Sequence, residues 1–138
     1  MTTGIPGSTA RRNSTQQVGY LRFTVNFSDA NIANGNTKQW LPAGALIESA
    51  TVYVGAAFNA GTTNVLTVGL GAANNNIVGA GAVTPGTVGQ TNGIIPTGAA
   101  LGPLAADAQV NVTYAQTGTA ATAGQAIVVI KYIPNNDL

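Results

Sequence analysis

The stretch Tyr20-Leu21-Arg22-Phe23-Thr24-Val25-Asn26-Phe27 decides the fold class of this chain. Large apolar side chains fall on every second position, and mostly polar ones lie between them. Because successive side chains of a β-strand point to opposite faces, this period of two predicts a half-buried strand. One face of that strand belongs to a core and the other to the surface of a sheet.

The same period predicts further strands on both sides of a turn at Pro42-Ala43-Gly44. A short strand is expected over Thr37–Leu41, and a longer one from about Leu46 to Phe58. The segment Asn59-Ala60-Gly61-Thr62 is interpreted as a hairpin connection, because Asn and Gly tolerate the backbone values that such loops need. The next strand, with Leu66, Val68 and Leu70, would then pair with the long strand.

The second half of the chain is harder to divide. Residues 71–102 are rich in Gly, Ala, Asn and Pro, and we predict a strand near Asn76–Val83 and turns at Pro85-Gly86 and Asn92-Gly93. Alternation returns at Val110, Val112 and Tyr114. The near-continuous apolar run Ala126–Ile133 predicts a central strand that is covered on both faces.

These elements predict an all-β fold. No segment shows sustained helical periodicity, and about seven or eight strands leave no room for crossover helices. We therefore expect an antiparallel two-sheet β-sandwich, jelly-roll-like in architecture. Met1–Gln16 has too few large apolar side chains to fold alone, so we expect a flexible N-terminal arm over residues 1–16 and a single domain over residues 17–138.

Composition excludes several classes of partner. Charged residues make up 7% of the chain and the net charge is +1, which provides no basic stripe for nucleic acid or for an anionic membrane. There is no apolar run of bilayer length, and we expect no export signal. The absence of cysteine excludes disulfides and thiolate sites.

The residues for common catalytic mechanisms are scarce. Histidine is absent, which removes the most frequent general base and metal ligand. A glycosidase-type pair of Asp29 and Glu48 is the remaining catalytic arrangement, and solvated surface charge is the favoured interpretation of both. We expect a protein that is not an enzyme and binds no cofactor or metal, with a calcium site built from backbone carbonyls as the open alternative.

Three residues are candidates for binding a partner. Arg11 and Arg12 form a charge pair in the expected arm and are suited to an acidic patch on another protein. Trp40 is the sole tryptophan. Its neighbours Leu41 and Pro42 favour a position in the core, and the alternative is a position at an interface, where tryptophan often dominates the binding energy.

Five segments of the sequence share a recognisable pattern: Trp40–Ile47, Thr51–Val54, Ala57–Asn64, Leu66–Gly69 and Gly124–Pro134. They resemble segments of the capsid cement, or decoration, proteins of tailed phages, such as that of a Bordetella phage.

The resemblance implies a structural virion protein that is made in the bacterial cytoplasm and binds the outer capsid surface. There it would bridge subunits of the major capsid protein and form a homo-oligomer, with a dimer favoured. Residues 72–106 match no pattern of that group. The alternatives are a phage tail or fibre component and a carbohydrate-binding module, although an aromatic content of 6% speaks against sugar recognition. An enzyme of another type ranks third.

Overall fold

The computed structural model describes residues 18–135 as an all-β structure. The expected arm, with Arg11 and Arg12, lies outside the described residues. Two three-residue 3₁₀ turns, Gly71–Ala73 and Gly98–Ala100, accompany the strands, and no helix in this part of the chain is long and apolar enough to cross a membrane. The strands are β1 (Gly19–Asn26), β2 (Asn36–Leu41), β3 (Leu46–Ala56), β4 (Thr63–Leu70), β5 (Gly89–Ile94), β6 (Ala108–Thr117) and β7 (Gln125–Ile133).

The strands form two antiparallel sheets. The four-stranded sheet has the order β1-β7-β3-β5, and the three-stranded sheet has the order β2-β6-β4. Each strand lies in the sheet opposite to that of the strand before it. This alternation gives a jelly-roll-like sandwich. The prediction of an all-β, two-sheet antiparallel fold is confirmed.

A single apolar cluster fills the space between the sheets. In β1, the side chains of Leu21, Phe23 and Val25 point into it, as the alternation predicts. The opposite sheet contributes Val110, Val112 and Tyr114 from β6. The core therefore consists of the inward faces of both sheets, which leaves two outer faces and four sheet edges.

The hairpin predicted between β3 and β4 is wrong. The two strands belong to different sheets, so residues 57–62 cross the end of the sandwich instead. Phe58 is buried in this crossing and packs on Tyr114, with ring centroids 4.7 Å apart. The Asn59 side chain accepts hydrogen bonds from the amides of Thr122 and Ala123. Asn and Gly suit a hairpin and a crossing equally, so local turn chemistry did not distinguish them.

Two features of residues 71–102 also differ from the prediction. The strand expected near Asn76–Val83 is reduced to an isolated bridge between Val78 and Val68 of β4. The expected turn at Asn92-Gly93 lies inside β5, where the register against β3 shifts and Gly93 adopts φ +68°. The dipeptide thus forms a bulge, which uses the same left-handed backbone as a turn. The turn at Pro85-Gly86 is confirmed by a bond from the Thr87 amide to the Thr84 carbonyl.

Strand β7 is central, but only one of its faces is covered. It pairs with β1 on one side and β3 on the other. Ala126, Val128 and Ile130 are fully buried, whereas Ile127 and Val129 are half-buried on the outer face. Cover on both faces was the wrong expectation, because a sandwich has two layers and no helix within residues 18–135 packs outside it.

Candidate interaction surfaces

Trp40 lies on the surface. Its side chain is 57% exposed at the end of β2, where the residue pairs with Gln109 of β6. The core position favoured from its neighbours is therefore wrong. Leu41 is buried, and adjacent residues of a strand face opposite ways, so Trp40 must face outward. Its exposure is compatible with the alternative role in binding a partner.

Two residues that sequence reasoning did not select lie near this edge. Tyr20 is 61% exposed on β1. Arg22 is exposed on the same face of β1 and makes no hydrogen bond or ion pair through its side chain within residues 18–135. The Gln39 side chain of β2 donates to the Arg22 carbonyl over 2.8 Å and links the two sheets. We call the linked edges of β1 and β2 the β1–β2 side. Tyr20 and Arg22 lie on its outer face in the four-stranded sheet, and Trp40 lies on its outer face in the three-stranded sheet.

One ion pair of the described chain lies near the β1–β2 side. Lys38 and Asp29 are 2.6 Å apart, and the Asp29 carboxylate also accepts from the Asn26 amide. Partial burial works against ionisation of Asp29, but the Asn26 amide and the Lys38 ammonium outweigh it and hold its pKa below the usual value. This pair fixes the turn after β1 against β2.

A second ion pair lies at the other end of the four-stranded sheet. Lys131 and Glu48 are 2.8 Å apart, and the hydrogen bond and charge of Glu48 raise the pKa of Lys131. The two side chains are 40% and 46% exposed. Exposed pairs of this kind add little to stability.

The structure does not bring Asp29 and Glu48 together. Glu48 forms an ion pair with Lys131, and Lys131 pairs with Tyr20 at the start of β1. Asp29 accepts a hydrogen bond from the Asn26 amide at the end of β1. Six residues of strand place the two carboxylates roughly 20 Å apart, and a glycosidase pair needs about 5–9.5 Å. Within residues 18–135 there is also no cluster of three or more acidic side chains that could hold a metal ion.

The chain segment that forms the opposite side of the sandwich contains no charged residue. Between Glu48 and Asp107 the sequence contains no Asp, Glu, Lys or Arg. This segment forms most of β3, all of β4 and β5, and the long connection between them. Val88 and Ile95, which flank β5, are 55% and 62% exposed. We call the region of β5 with Val88 and Ile95 the uncharged side.

A small cleft opens on the uncharged side. Its volume is about 190 Å³, and it lies between β5 and residues 82–88, with Val54 among its lining residues. Small-molecule sites usually enclose about 300–1,000 Å³. The lining contains no aromatic ring and no charged group, so the cleft lacks the stacking platform that sugar recognition generally uses.

Comparisons with known proteins support the fold. The structure is similar to a chain in the capsid asymmetric unit of cyanophage Pam1, with a TM-score of 0.60 and 19% identity over 85% of this chain and 84% of that chain. It is also similar to a chain in the capsid of Ralstonia phage GP4, with a TM-score of 0.57 and 21% identity over 86% and 85% of the two chains. No family model and no curated protein matches the sequence. The likeness shows a shared fold.

Proposed function

We propose that this protein is a structural component of a phage virion, a cement or decoration protein that binds the outer surface of the capsid and bridges subunits of the major capsid protein. The observation that carries the proposal is the match of nearly the whole fold to chains of two phage capsids. The match spans at least 84% of each of those chains. It therefore involves the whole sandwich rather than a shared fragment.

The two sides of the sandwich support a bridging role. A bridging protein needs at least two separate contact surfaces, and β1 and β5 lie at opposite edges of the four-stranded sheet. The β1–β2 side exposes Trp, Tyr and Arg, the residue types that most often dominate interface energies. The uncharged side exposes apolar groups and open backbone. Each side suits a different neighbour.

The role we propose is structural and non-enzymatic. Addition of many copies to a repeating lattice stabilises a shell, because ligands that bind only the closed form raise the free energy of opening it. Contacts made in parallel also raise the overall affinity without a strong individual contact. The expected arm over residues 1–16 is proposed to add Arg11 and Arg12 to this attachment, and a dimer is the favoured oligomer.

The direct test is reconstitution on undecorated capsids of the parent phage. Purified protein is sedimented with these capsids, and the bound fraction is measured against protein concentration. We expect saturation at a fixed number of copies per capsid and a higher disruption temperature for the decorated shell. Capsids that already carry the protein serve as the control and should bind no more. Binding to purified tails, with none to capsids, would favour the tail or fibre alternative.

A further inference from the structure

The four sheet edges of the sandwich are not equivalent. The β1 and β2 edges are linked to each other by the bond from Gln39 to the Arg22 carbonyl. The β4 edge is covered in part, because Val68 exchanges main-chain hydrogen bonds with Ile77 and Val78. Strand β5 has no such cover: within residues 18–135, its main chain makes hydrogen bonds to β3 alone.

The open β5 edge is also unprotected by charge. Gly89, Gln90, Asn92 and Gly93 are exposed, and Thr91 is half-buried. Natural proteins usually place a charged residue, a proline or a bulge on an open edge, because the free amides and carbonyls of such an edge bind other strands. Here the nearest charged positions in sequence are Glu48 and Asp107. The bulge at Asn92-Gly93 is the device of this kind that β5 carries. Because Gly89–Ile94 contains no charged residue and no proline, the outward main-chain groups of β5 are still suited to pairing with a strand.

We propose that β5 pairs with β5 of a second copy of this chain and joins the two four-stranded sheets across a twofold axis. The proposal gives a contact surface to the dimer of the proposed function and rests on that function for its role. Pairing would continue the sheet from one copy into the other, and Val88 and Ile95 at the ends of β5 would lie beside this contact.

The choice of a second copy follows from the chemistry of the strand. In a twofold contact, groups near the axis meet their own copies. Gln90, Thr91 and Asn92 carry both hydrogen-bond donors and acceptors. Gln90 donates to the Asn92 side chain over 2.7 Å, and each amide keeps a further donor and acceptor for its own copy, which a lysine or a glutamate would not. On the β1–β2 side, a twofold contact would instead bring Arg22 close to a second Arg22. The uncharged side is therefore the one suited to self-association.

Single cysteines test the contact directly, since the chain contains none. Gln90→Cys, Thr91→Cys and Asn92→Cys place a thiol along β5, and Thr24→Cys on the exposed face of β1 is the matched control. Paired strands bring opposing Cα atoms to about 4.5–5.5 Å, within the usual range of a disulfide. Mild oxidation of the purified proteins should give a covalent dimer at one or more β5 positions and none at residue 24.

The reversible dimer is measured without a cross-link by sedimentation equilibrium. A contact confined to one six-residue strand predicts a weak dimer that dissociates on dilution. Gln90→Lys should weaken it about tenfold or more, because it places like charges beside each other, and added salt should restore part of the loss. Thr24→Lys carries the same charge on the opposite edge and should leave the dissociation constant unchanged. Circular dichroism confirms that each variant is folded.

Several results would overturn the proposal. They are a monomer throughout the concentration range, equal dimerisation of wild type and Gln90→Lys, or cross-linking at residue 24 with none at β5. A monomer whose β5 cysteines become protected from a thiol-reactive label when it binds capsids would assign the edge to the capsid protein instead. In that case the protein would still bind capsids, so the proposed function would stand while the dimer contact failed. A dimer that binds no capsid would support the β5 contact and contradict the proposed function.

Discussion

The β1–β2 side and the uncharged side belong to one sandwich, but their edge strands differ in charge and in the hydrogen bonds that cover them. On the first, side-chain bonds link the two sheets, and Arg22, Lys38 and Asp29 supply charge. On the second, β5 is open and the surrounding chain is uncharged. Charge and cover on an edge prevent unintended pairing. This contrast is the basis for the proposal that β5, on the uncharged side, pairs with another protein strand.

The comparison requires that both sides rest on one cooperative core, and β7 tests this with the largest expected effect. Ile130→Ala, or Val128→Ala, removes part of a fully buried side chain and should lower the free energy of unfolding by about 2–4 kcal/mol. Ile127→Ala, on the half-buried outer face of the same strand, should cost less than either. Denaturant unfolding followed by circular dichroism measures all three. Two separate transitions would show that the sides unfold independently.

The other strands show what local sequence can and cannot predict. The parity of inward residues in β1, β3 and β6 was correct, because the period of two depends on the strand alone. The assignment of β3 and β4 to one sheet was wrong, because sheet membership depends on where Phe58 packs. Strand β5 was missed, since its residues, Gly-Gln-Thr-Asn-Gly-Ile, have no apolar alternation. It forms by pairing with β3 rather than by burying a face.

The candidate binding residues were also predicted correctly only where local sequence was sufficient. Trp40 was selected as a possible interface residue from its type, but its exposure was misjudged, although the parity with buried Leu41 would have indicated it. Tyr20 and Arg22 were assigned to the outer face and not recognised as part of a binding surface. Their proximity to β2 depends on the sandwich bringing two edges together, which no spacing along the chain encodes.

The second test asks whether the exposed tryptophan of the β1–β2 side is used for binding. Trp40→Ala should change the free energy of unfolding by no more than about 0.5 kcal/mol, because the ring is largely exposed. If it is an interface anchor, capsid binding should weaken by about 2 kcal/mol, or roughly 30-fold. Co-sedimentation with undecorated capsids measures the loss. Gln109→Ala, at the paired position on β6, is the control and should bind nearly as wild type does.

The third test separates electrostatic from uncharged attachment. A variant without residues 1–16 should unfold at the same temperature as the full chain, because that segment offers little apolar surface to bury. We expect it to bind capsids about tenfold more weakly at low salt, with a smaller difference at high salt, where screening weakens the contribution of Arg11 and Arg12. Arg11→Gln with Arg12→Gln isolates the charge. Equal binding by the truncated chain would mean that the sandwich alone attaches the protein to the capsid.

The smallest expected effect concerns the ion pair of the β1–β2 side. The pKa of Asp29 is lowered in the folded protein, so the carboxylate stabilises the fold at pH values above its unfolded pKa of about 4, and this contribution is lost as the pH falls through the folded value. The side chains of Lys38 and Asp29 are 15% and 19% exposed, so the contribution should be about 1 kcal/mol, at the upper end of the range for exposed pairs.

The measurement is the free energy of unfolding from pH 7 down to pH 3, for wild type and for Asp29→Asn, which keeps the shape of the side chain and removes its charge. The difference between the two proteins should be present at pH 7 and shrink toward pH 3. A constant difference would mean that the Asp29→Asn variant loses stability through a weaker hydrogen bond with the Asn26 amide rather than through charge.

The uncharged side contains no ionisable side chain that titrates in this range, so the β5 contact should not change between pH 7 and pH 5, where Asp29 stays ionised and the fold is intact. A dimer that dissociates within that interval would show that charged groups outside the uncharged side take part in it, and the division of the sandwich into two sides would then be wrong.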